Sequence, residues 1–196
     1  MQVQTEAIVC AIRGHGEHGT IVRLLTPEHG LVAAYVRGGR GRRMRPVLIP
    51  GNMVSAQLRW RTESQLPQAS IELERSRAPM LGEALQSAAI EWVTALIASA
   101  LPERQAYPRV YQAAAGLLDA IDAAPSAKGW SGALAKFEQL LVLELGYGRE
   151  GPVGGDVFVS LQWSGDRLFA DILSGRTDSL RDSRDRLVER LRRALV

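Results

Sequence analysis

The chain has 196 residues, a hydrophobic content of 46% and a formal net charge of +3 at pH 7. That amount of apolar sequence suffices for the packed core of one domain or of two small ones. The single cysteine, Cys10, excludes an internal disulfide framework and a cysteine-based zinc site within one chain. The N-terminus lacks the pattern of a signal peptide, and the longest apolar stretch, 88–101, is too short to span a bilayer. We therefore expect a soluble cytoplasmic protein with no membrane segment.

The charge is distributed unevenly along the chain. Residues 1–77 contain 11 arginines and six acidic residues, a net charge of +5, whereas residues 78–196 have a net charge of −2. An excess of positive charge in one segment favours a polyanionic partner for that segment. The N-terminal part is therefore the candidate for nucleic-acid binding.

Residues 1–77 have the pattern of short strands separated by turns. The first strand is apolar throughout and is expected to be buried on both faces, whereas the fourth alternates between apolar and polar residues. Turns are predicted at the glycine- and proline-containing segments between the strands. Five strands within about 70 residues favour a small closed barrel, for which the oligonucleotide/oligosaccharide-binding (OB) fold is the leading candidate. The predicted strands are 7–12, 20–25, 31–36, 54–61 and 69–74.

Helical periodicity replaces strand alternation near Pro79. The predicted helices are 81–101, one that begins at Pro108, 131–145 and 178–195. Between the last two, apolar alternation interrupted by Ser164-Gly165-Asp166 predicts a β-hairpin at about 156–173. We therefore predict an α+β protein, with a five-stranded OB barrel over 1–78 and a mostly helical domain over 79–196 that contains a small zinc-free hairpin.

The segment 37–45, hereafter the arginine loop, holds five arginines and three glycines in nine residues and no acidic residue. Glycine lets a backbone approach a ligand closely, and a guanidinium binds phosphate through two parallel hydrogen bonds. An anionic partner would also relieve the repulsion between these like charges. A solvated basic loop without a ligand is the alternative, but the composition favours contact with nucleic acid. The arginines are Arg37, Arg40, Arg42, Arg43 and Arg45.

Other residues of the strand region could extend a path for nucleic acid from the arginine loop. Arg59 is eligible unless it pairs across the sheet with Glu72. Alternation places Trp60 in the core, which leaves few aromatic residues for stacking, so binding is expected to be mostly electrostatic. The further candidates are Arg13, Arg23, Arg61 and Tyr35.

Partial motifs for nucleotide binding or metal binding occur in the sequence, but the residues around them do not support either function. The spacing Gly14-x-Gly16-x-x-Gly19 matches a dinucleotide fingerprint, but β-branched residues follow where a helix should begin. The histidines His15, His18 and His29 lie in two turns that flank one strand, so a shared metal site is not expected. A nucleophile elbow is missing, so we expect neither an enzyme nor a cofactor.

Taken in chain order, several segments resemble the RecO family of bacterial recombination mediator proteins. The N-terminal resemblance covers roughly residues 5–77 and is specific as an ordered set, whereas the helical part is similar mainly in layout. The segments are Gly16-Glu17, Leu24–Leu31, Val36–Arg40, Leu48–Val54 and, at a later helix-to-loop junction, Phe137-Glu138 with Leu143–Gly148.

This resemblance implies an OB barrel followed by a helical domain, binding to single- and double-stranded DNA, and annealing of complementary strands. It also implies help in loading RecA onto DNA coated by single-strand-binding protein, at the nucleoid and without catalysis. The implied partners are RecR, the acidic C-terminal tail of single-strand-binding protein, RecF and RecA. The residues alone leave open an OB-fold protein-interaction module or an RNA-binding protein, because they identify no reader of a 2′-hydroxyl.

The sequence departs from the family pattern in two respects. Many members carry a four-cysteine zinc module after the Leu-Gly-Tyr junction, whereas residues 148–177 contain no cysteine. The predicted hairpin, with Trp163 and Phe169, would have to hold this region instead. The C-terminal portion is also short for the family, and both departures bear on any partner contact located there.

Overall fold

A computed structural model describes residues 1–62, 65–148, 151–152, 154–175 and 178–195. Within those ranges it contains five strands and five α-helices. The strands are β1 (Gln2–His15), β2 (Gly19–Thr26), β3 (Gly30–Val36), β4 (Met53–Arg59) and β5 (Gln68–Arg75). The helices are α1 (Ala84–Ala100), α2 (Pro108–Ala123), α3 (Ser131–Glu144), α4 (Val157–Arg167) and α5 (Asp178–Leu195), and a π-helical turn at Leu168–Ile172 extends α4.

The five strands close into a barrel in the order β1-β2-β3-β5-β4. β1 closes the barrel because its first half pairs with β4 and its second half pairs with β2, with a bulge between Val9 and Ala11. β3 and β5 meet in parallel at Tyr35 and Gln68. This order of five strands in a small closed barrel is that of an OB fold, so the predicted fold of the N-terminal half is confirmed.

Both faces of β1 are buried over part of its length. Ala7 and Val9 point into the barrel, whereas Ile8 and Cys10 point outward and join the core of the helices. The expectation of two buried faces therefore holds for Ala7–Cys10, and it fails at Ile12, which is 40% exposed. Trp60 packs against the barrel core and is partly buried, as predicted.

The helices pack on the outside of the barrel and share a hydrophobic core with it. Ile8, Leu25 and Leu31 of the barrel belong to the same apolar cluster as Ile90 and Trp92 of α1. Helices α1, α2, α3 and α5 confirm the four predicted helices, with boundaries that differ by a few residues. A boundary between domains at residues 78 and 79 stays a prediction.

The predicted hairpin at 156–173 is wrong, because this segment is helical. Asp156 caps α4 by accepting a hydrogen bond from the Phe158 amide at 2.8 Å. Leu161 and Leu168 are buried, whereas Val159, predicted on the same face as Leu161, is 55% exposed. Burial at a spacing of seven residues is helical, so the alternation of apolar residues was accidental here.

A buried ionic cluster fixes α4 and α5 to the remainder of the helical half. Arg184 of α5 donates to both carboxylate oxygens of Glu138 in α3, at 3.0 and 2.7 Å, and it also donates to the Leu161 carbonyl oxygen. The same carboxylate accepts hydrogen bonds from Trp92 Nε1 at 2.7 Å and from the Ser164 hydroxyl. Ser164 and Leu161, which the sequence placed in a predicted hairpin, thus lie in a helix that this cluster holds in place.

The register of the sheet corrects one predicted pair. Arg59 lies opposite Gln68 and Gln2, whereas Glu72 lies opposite Ser55, so the expected pair of Arg59 with Glu72 does not form. Arg59 instead donates to Gln2 Oε1 at 3.3 Å. Across the described ranges, every helix is too short or too polar to cross a membrane.

Candidate nucleic-acid interface

The arginine loop folds as a succession of turns after β3. Hydrogen bonds from Gly41 N to the Gly38 carbonyl oxygen and from Met44 N to the Gly41 carbonyl oxygen, at 2.9 and 3.0 Å, close two of these turns. Gly38 has a φ of +67°, a conformation that glycine adopts without strain. The glycines therefore let the backbone turn tightly within the segment that carries the five arginines.

Apolar side chains at the end of the loop attach it to the barrel. Leu48 is buried in the barrel core, and Met44 and Val47 pack against the same core. At the start of the loop, a Cβ on Gly39 would lie 2.6 Å from the Cβ of Thr20 in β2, so only glycine allows this approach. The backbone of the loop is thus held against the barrel while its arginines remain outside.

Asn52, which is fully buried, holds the segment that follows the loop. Its side-chain amide donates to the carbonyl oxygens of Pro46 and Val47, both at 3.0 Å. Its Oδ1 accepts a hydrogen bond from the Arg77 backbone amide at 2.8 Å. One side chain therefore links the arginine loop to the segment that leaves the barrel toward α1.

Arg77 continues this connection to α2. Its fully buried guanidinium pairs with Asp122 at 2.6 Å and with Asp119, which also pairs with Arg75 at 2.6 Å. Burial alone would raise the pKa of Asp119, but the hydrogen bonds and charges of Arg77 and Arg75 lower this pKa below its ordinary value. A polar chain thus runs from the arginine loop through Asn52 to the helical half.

The five arginines of the loop are all exposed, but two of them also bond to the protein. Arg40 donates to the Gly16 carbonyl oxygen at 3.2 Å, and Arg45 Nε donates to the Arg40 carbonyl oxygen at 3.2 Å. Within the part of the chain that the structure describes, Arg37, Arg42 and Arg43 make no hydrogen bond or ion pair. Exposed guanidinium forks without carboxylate partners are available to an external anion.

The turn between β1 and β2 lies beside the arginine loop. The Arg40 guanidinium packs on Gly14, where a Cβ would be 3.4 Å from its Cζ, and its hydrogen bond reaches Gly16. His15, between these two glycines, contacts the ring of Tyr35 edge-on, with 5.9 Å between ring centroids and 80° between ring planes. The structure therefore brings two aromatic rings and the basic loop to the same end of the barrel.

Arg13 and Tyr35 belong to one row across the outer face of this end. Arg13 lies opposite Ile21 in β2, and Ile21 lies opposite Tyr35 in β3. Cross-strand neighbours point to the same face of a sheet. Arg13 is exposed and has no ion-pair partner among the described residues, so it can extend the basic surface alongside the strands.

Two of the predicted residues lie elsewhere. Arg23 is half-buried where the barrel meets the helices, and it bonds to the Ala98 carbonyl oxygen and to Glu103 at 3.2 Å. Arg61 follows Trp60, which shares a cavity with Glu28 and His29 at the opposite end of the β2–β3 pair. We therefore leave Arg23 and Arg61 out of the candidate surface, which consists of the arginine loop, Arg13, Tyr35 and His15.

Among the described residues, no three or more His, Cys, Asp or Glu side chains come together in a way that could hold a metal ion. His15 ends β1 and His18 lies in the β1–β2 turn, whereas His29 lies in the β2–β3 turn at the other end of β2. Burial raises the pKa of the Cys10 thiol to about 12, so this cysteine is a neutral core residue.

Sequence reasoning missed Asn52 and Arg77, whose contacts hold the loop. The signal for Asn52 was its position after Pro50 and Gly51, where a polar residue in a turn often bonds to nearby backbone. Arg77 gave no such signal, because its partners Asp119 and Asp122 are 42 and 45 residues further along the chain. Only the packing of α2 against the end of β5 reveals that pairing.

The barrel order, the basic loop and the attached helices define an OB-fold protein with a helical extension. Comparison with known families agrees with this class. The family model Recombination protein O N terminal matches residues 1–77, and the model Recombination protein O C terminal matches residues 83–150. The chain belongs to the RecO family.

Individual relatives show the same membership. DNA repair protein RecO of Paracoccus denitrificans is 40% identical over 148 residues, which cover 76% of this chain and 60% of the relative. DNA repair protein RecO of Rhodospirillum centenum is 39% identical over 149 residues, or 76% of this chain and 58% of the relative. The chain thus matches about three-fifths of the length of these relatives.

Proposed function

We propose that the protein is a DNA-binding recombination mediator that acts in the repair of double-strand breaks and gaps. In this proposal it binds single- and double-stranded DNA and anneals complementary strands. The observation that carries it is the arginine loop, whose exposed guanidinium groups are held on an ordered backbone, three of them without a partner among the described residues. Membership of a family whose relatives are named DNA repair proteins supports the same assignment.

The chemistry of the loop accounts for binding that does not depend on sequence. Guanidinium groups bind phosphate oxygens, which are the same at every nucleotide, and each contact releases counterions from the strand. A strand held by its phosphates keeps its base edges accessible. Neutralisation of two strands in this way lowers their mutual repulsion, so complementary bases can meet and anneal.

The proposed partners follow from family membership. They are RecR, the acidic C-terminal tail of single-strand-binding protein, RecF and RecA, with the protein assisting the loading of RecA onto coated single strands. We propose that it acts without catalysing a reaction, in the cytoplasm at the nucleoid. Residues 148–177 contain no cysteine and include helix α4, so we propose that partner contacts in this region are made by the surface of α4.

Annealing of complementary oligonucleotides tests this proposal. We expect the wild type to accelerate annealing, and Arg40→Glu/Arg42→Glu/Arg43→Glu to lower DNA affinity by about 100-fold or more, because charge-assisted bonds are replaced by repulsion. The matched control is Lys128→Glu/Lys136→Glu/Arg186→Glu, which changes the net charge equally at exposed positions of the helical half. This control should anneal almost as well as the wild type.

The outcomes separate the proposal from its alternatives. Equal loss in both triple variants would mean that net charge, and not the loop, governs binding. A wild type that binds no DNA would favour a protein-interaction module, in which the loop binds an acidic protein. Tighter binding to RNA than to DNA of the same sequence would favour an RNA-binding protein.

A further inference from the structure

His15 and Tyr35 form a corner of two nearly perpendicular rings beside the arginine loop, hereafter the aromatic corner. We infer that the aromatic corner is a stacking subsite for an unpaired nucleobase, and that it gives the protein a preference for single strands. This inference rests on the proposed DNA binding, and it adds a contact to the base where the arginines contact only phosphate.

The backbone around the corner is shaped to keep the Tyr35 ring in place. A Cβ on Gly19 would overlap the ring, and it would also lie 2.6 Å from the phenolic oxygen. The absence of a side chain at Gly19 therefore leaves the space that the Tyr35 ring occupies beside β2. Tyr35 N donates to the Pro67 carbonyl oxygen at 2.8 Å, which fixes the backbone from the β5 side.

The ring positions leave aromatic surface open to solvent. Tyr35 is partly exposed on the outer face of the barrel, and His15 is exposed at the tip of β1. The Tyr35 hydroxyl makes no hydrogen bond within the described ranges. The position of the ring therefore does not depend on a hydrogen bond from this hydroxyl to the described protein. Rigid aromatic faces of this kind stack on bases of any sequence.

Phosphate and base contacts can come from the same stretch of strand, because the corner adjoins the arginines. Arg40 touches Gly14 and Gly16, the two neighbours of His15. Arg37 follows Tyr35 by two residues at the end of β3. A nucleotide whose phosphate is bound by these guanidinium groups has its base within reach of the corner.

This geometry discriminates between strand states. In a duplex the faces of the bases are covered by their neighbours, whereas a single strand can turn one base onto an external ring. Stacking of one base is worth roughly a 5- to 100-fold gain in affinity. The corner should therefore favour single over double strands by a factor within that range.

The test measures binding of a single-stranded oligonucleotide and of a matched oligonucleotide that carries abasic sites in place of its bases. Both have the same number of phosphates and differ in the presence of bases, and the Tyr35 variants then separate stacking on this ring from other contacts to a base. The variants are Tyr35→Leu, which removes the ring and keeps apolar volume against Gly19, and Tyr35→Phe, which keeps the ring. Circular dichroism and melting temperature confirm that each variant is folded.

We expect the wild type and Tyr35→Phe to bind the normal oligonucleotide about 5- to 100-fold more tightly than the abasic one. Tyr35→Leu should lose this difference, while the slope of its affinity against salt stays as in the wild type. His15→Ala should reduce the difference in part, because the Tyr35 ring remains.

Equal binding of normal and abasic strands by the wild type, with a steep salt slope, would overturn the stacking inference and leave the proposed DNA binding intact. A difference that persists unchanged in Tyr35→Leu would also overturn it. Failure of the wild type to bind either strand would overturn the proposed function and this inference together.

Discussion

Arg42 and Arg43 of the arginine loop face solvent without a carboxylate partner among the described residues, whereas Arg184 of α5 is buried against Glu138. The two regions use the same residue type for opposite purposes. In the helical half, the buried Glu138 carboxylate neutralises the Arg184 guanidinium, and its hydrogen bonds join four helices. At the end of the barrel the Arg42 and Arg43 charges have no carboxylate partner among the described residues, so they are available to attract an external anion. The positions of the acids, and not the number of arginines, therefore distinguish the proposed binding surface from the helical half.

Loss of the buried ion pair in the helical half should cost the most stability. Arg184→Leu leaves the Glu138 carboxylate buried without its counter-charge, and we expect a loss of about 3–5 kcal/mol of unfolding free energy. Chemical denaturation measures this loss, and Arg186→Leu, at an exposed position of α5, should change stability by no more than about 0.5 kcal/mol. DNA affinity of the folded Arg184→Leu variant should equal that of the wild type; a weaker affinity would contradict the structural role.

A smaller effect is expected where the two regions connect. Asn52→Ala removes two hydrogen bonds to Pro46 and Val47, directly after the arginine loop, and one to Arg77, and we expect a loss of about 1–3 kcal/mol of stability. DNA affinity should also fall, because the loop is no longer held in place.

Gln57→Ala, a change of a side-chain amide on the outer face of β4, is the control and should leave both quantities unchanged. If Asn52→Ala keeps full DNA affinity, the position of the loop does not depend on this anchor.

Single arginines of the loop should each contribute a modest part of the DNA affinity. Arg42→Ala removes one phosphate contact, so affinity for single strands should fall by about 3- to 10-fold and the slope of log affinity against log salt should become shallower by about 0.7. Fluorescence anisotropy across a salt series measures both. Because the Arg42 side chain makes no hydrogen bond or ion pair within the described ranges, the melting temperature of the variant should equal that of the wild type, and a large drop would show that Arg42 has a structural role.

The smallest effect concerns the pH dependence of the Arg77–Asp119 contact. Since the pKa of Asp119 is lowered in the folded state, its contribution to stability is present above the pKa of the unfolded chain and is lost as pH falls through the folded value. Wild type and Asp119→Asn should therefore differ in stability at neutral pH, and this difference should begin to shrink as the pH falls below about 4. Urea midpoints between pH 3 and 7 measure this decrease; a constant difference across that range would contradict it.

The barrel was predictable because its local signals agree with its packing. Alternation in β4 and turn residues around Gly30 and Gly51 match the register that the structure shows. α4 was not predictable, because Val157, Val159, Leu161 and Trp163 satisfy strand alternation by composition, and the Asp156 cap is a signal that a turn shares.

The candidate surface was predictable only in part. Five arginines without an acid form a local signal, so the loop could be found from sequence. No local sequence pattern distinguishes Arg23 and Arg184 from exposed arginines, because their partners Glu103 and Glu138 are 80 and 46 residues away. Pairing at such separations depends on tertiary packing, which composition does not encode.

The salt dependence of single-strand binding shows whether the arginine loop contacts phosphate. If three to five arginines of the loop contact phosphate, log affinity should fall against log salt with a slope of roughly −2 to −3.5, and Arg40→Glu/Arg42→Glu/Arg43→Glu should flatten this slope by about 2. A wild-type slope near zero, or a slope that the triple variant leaves unchanged, would contradict the account.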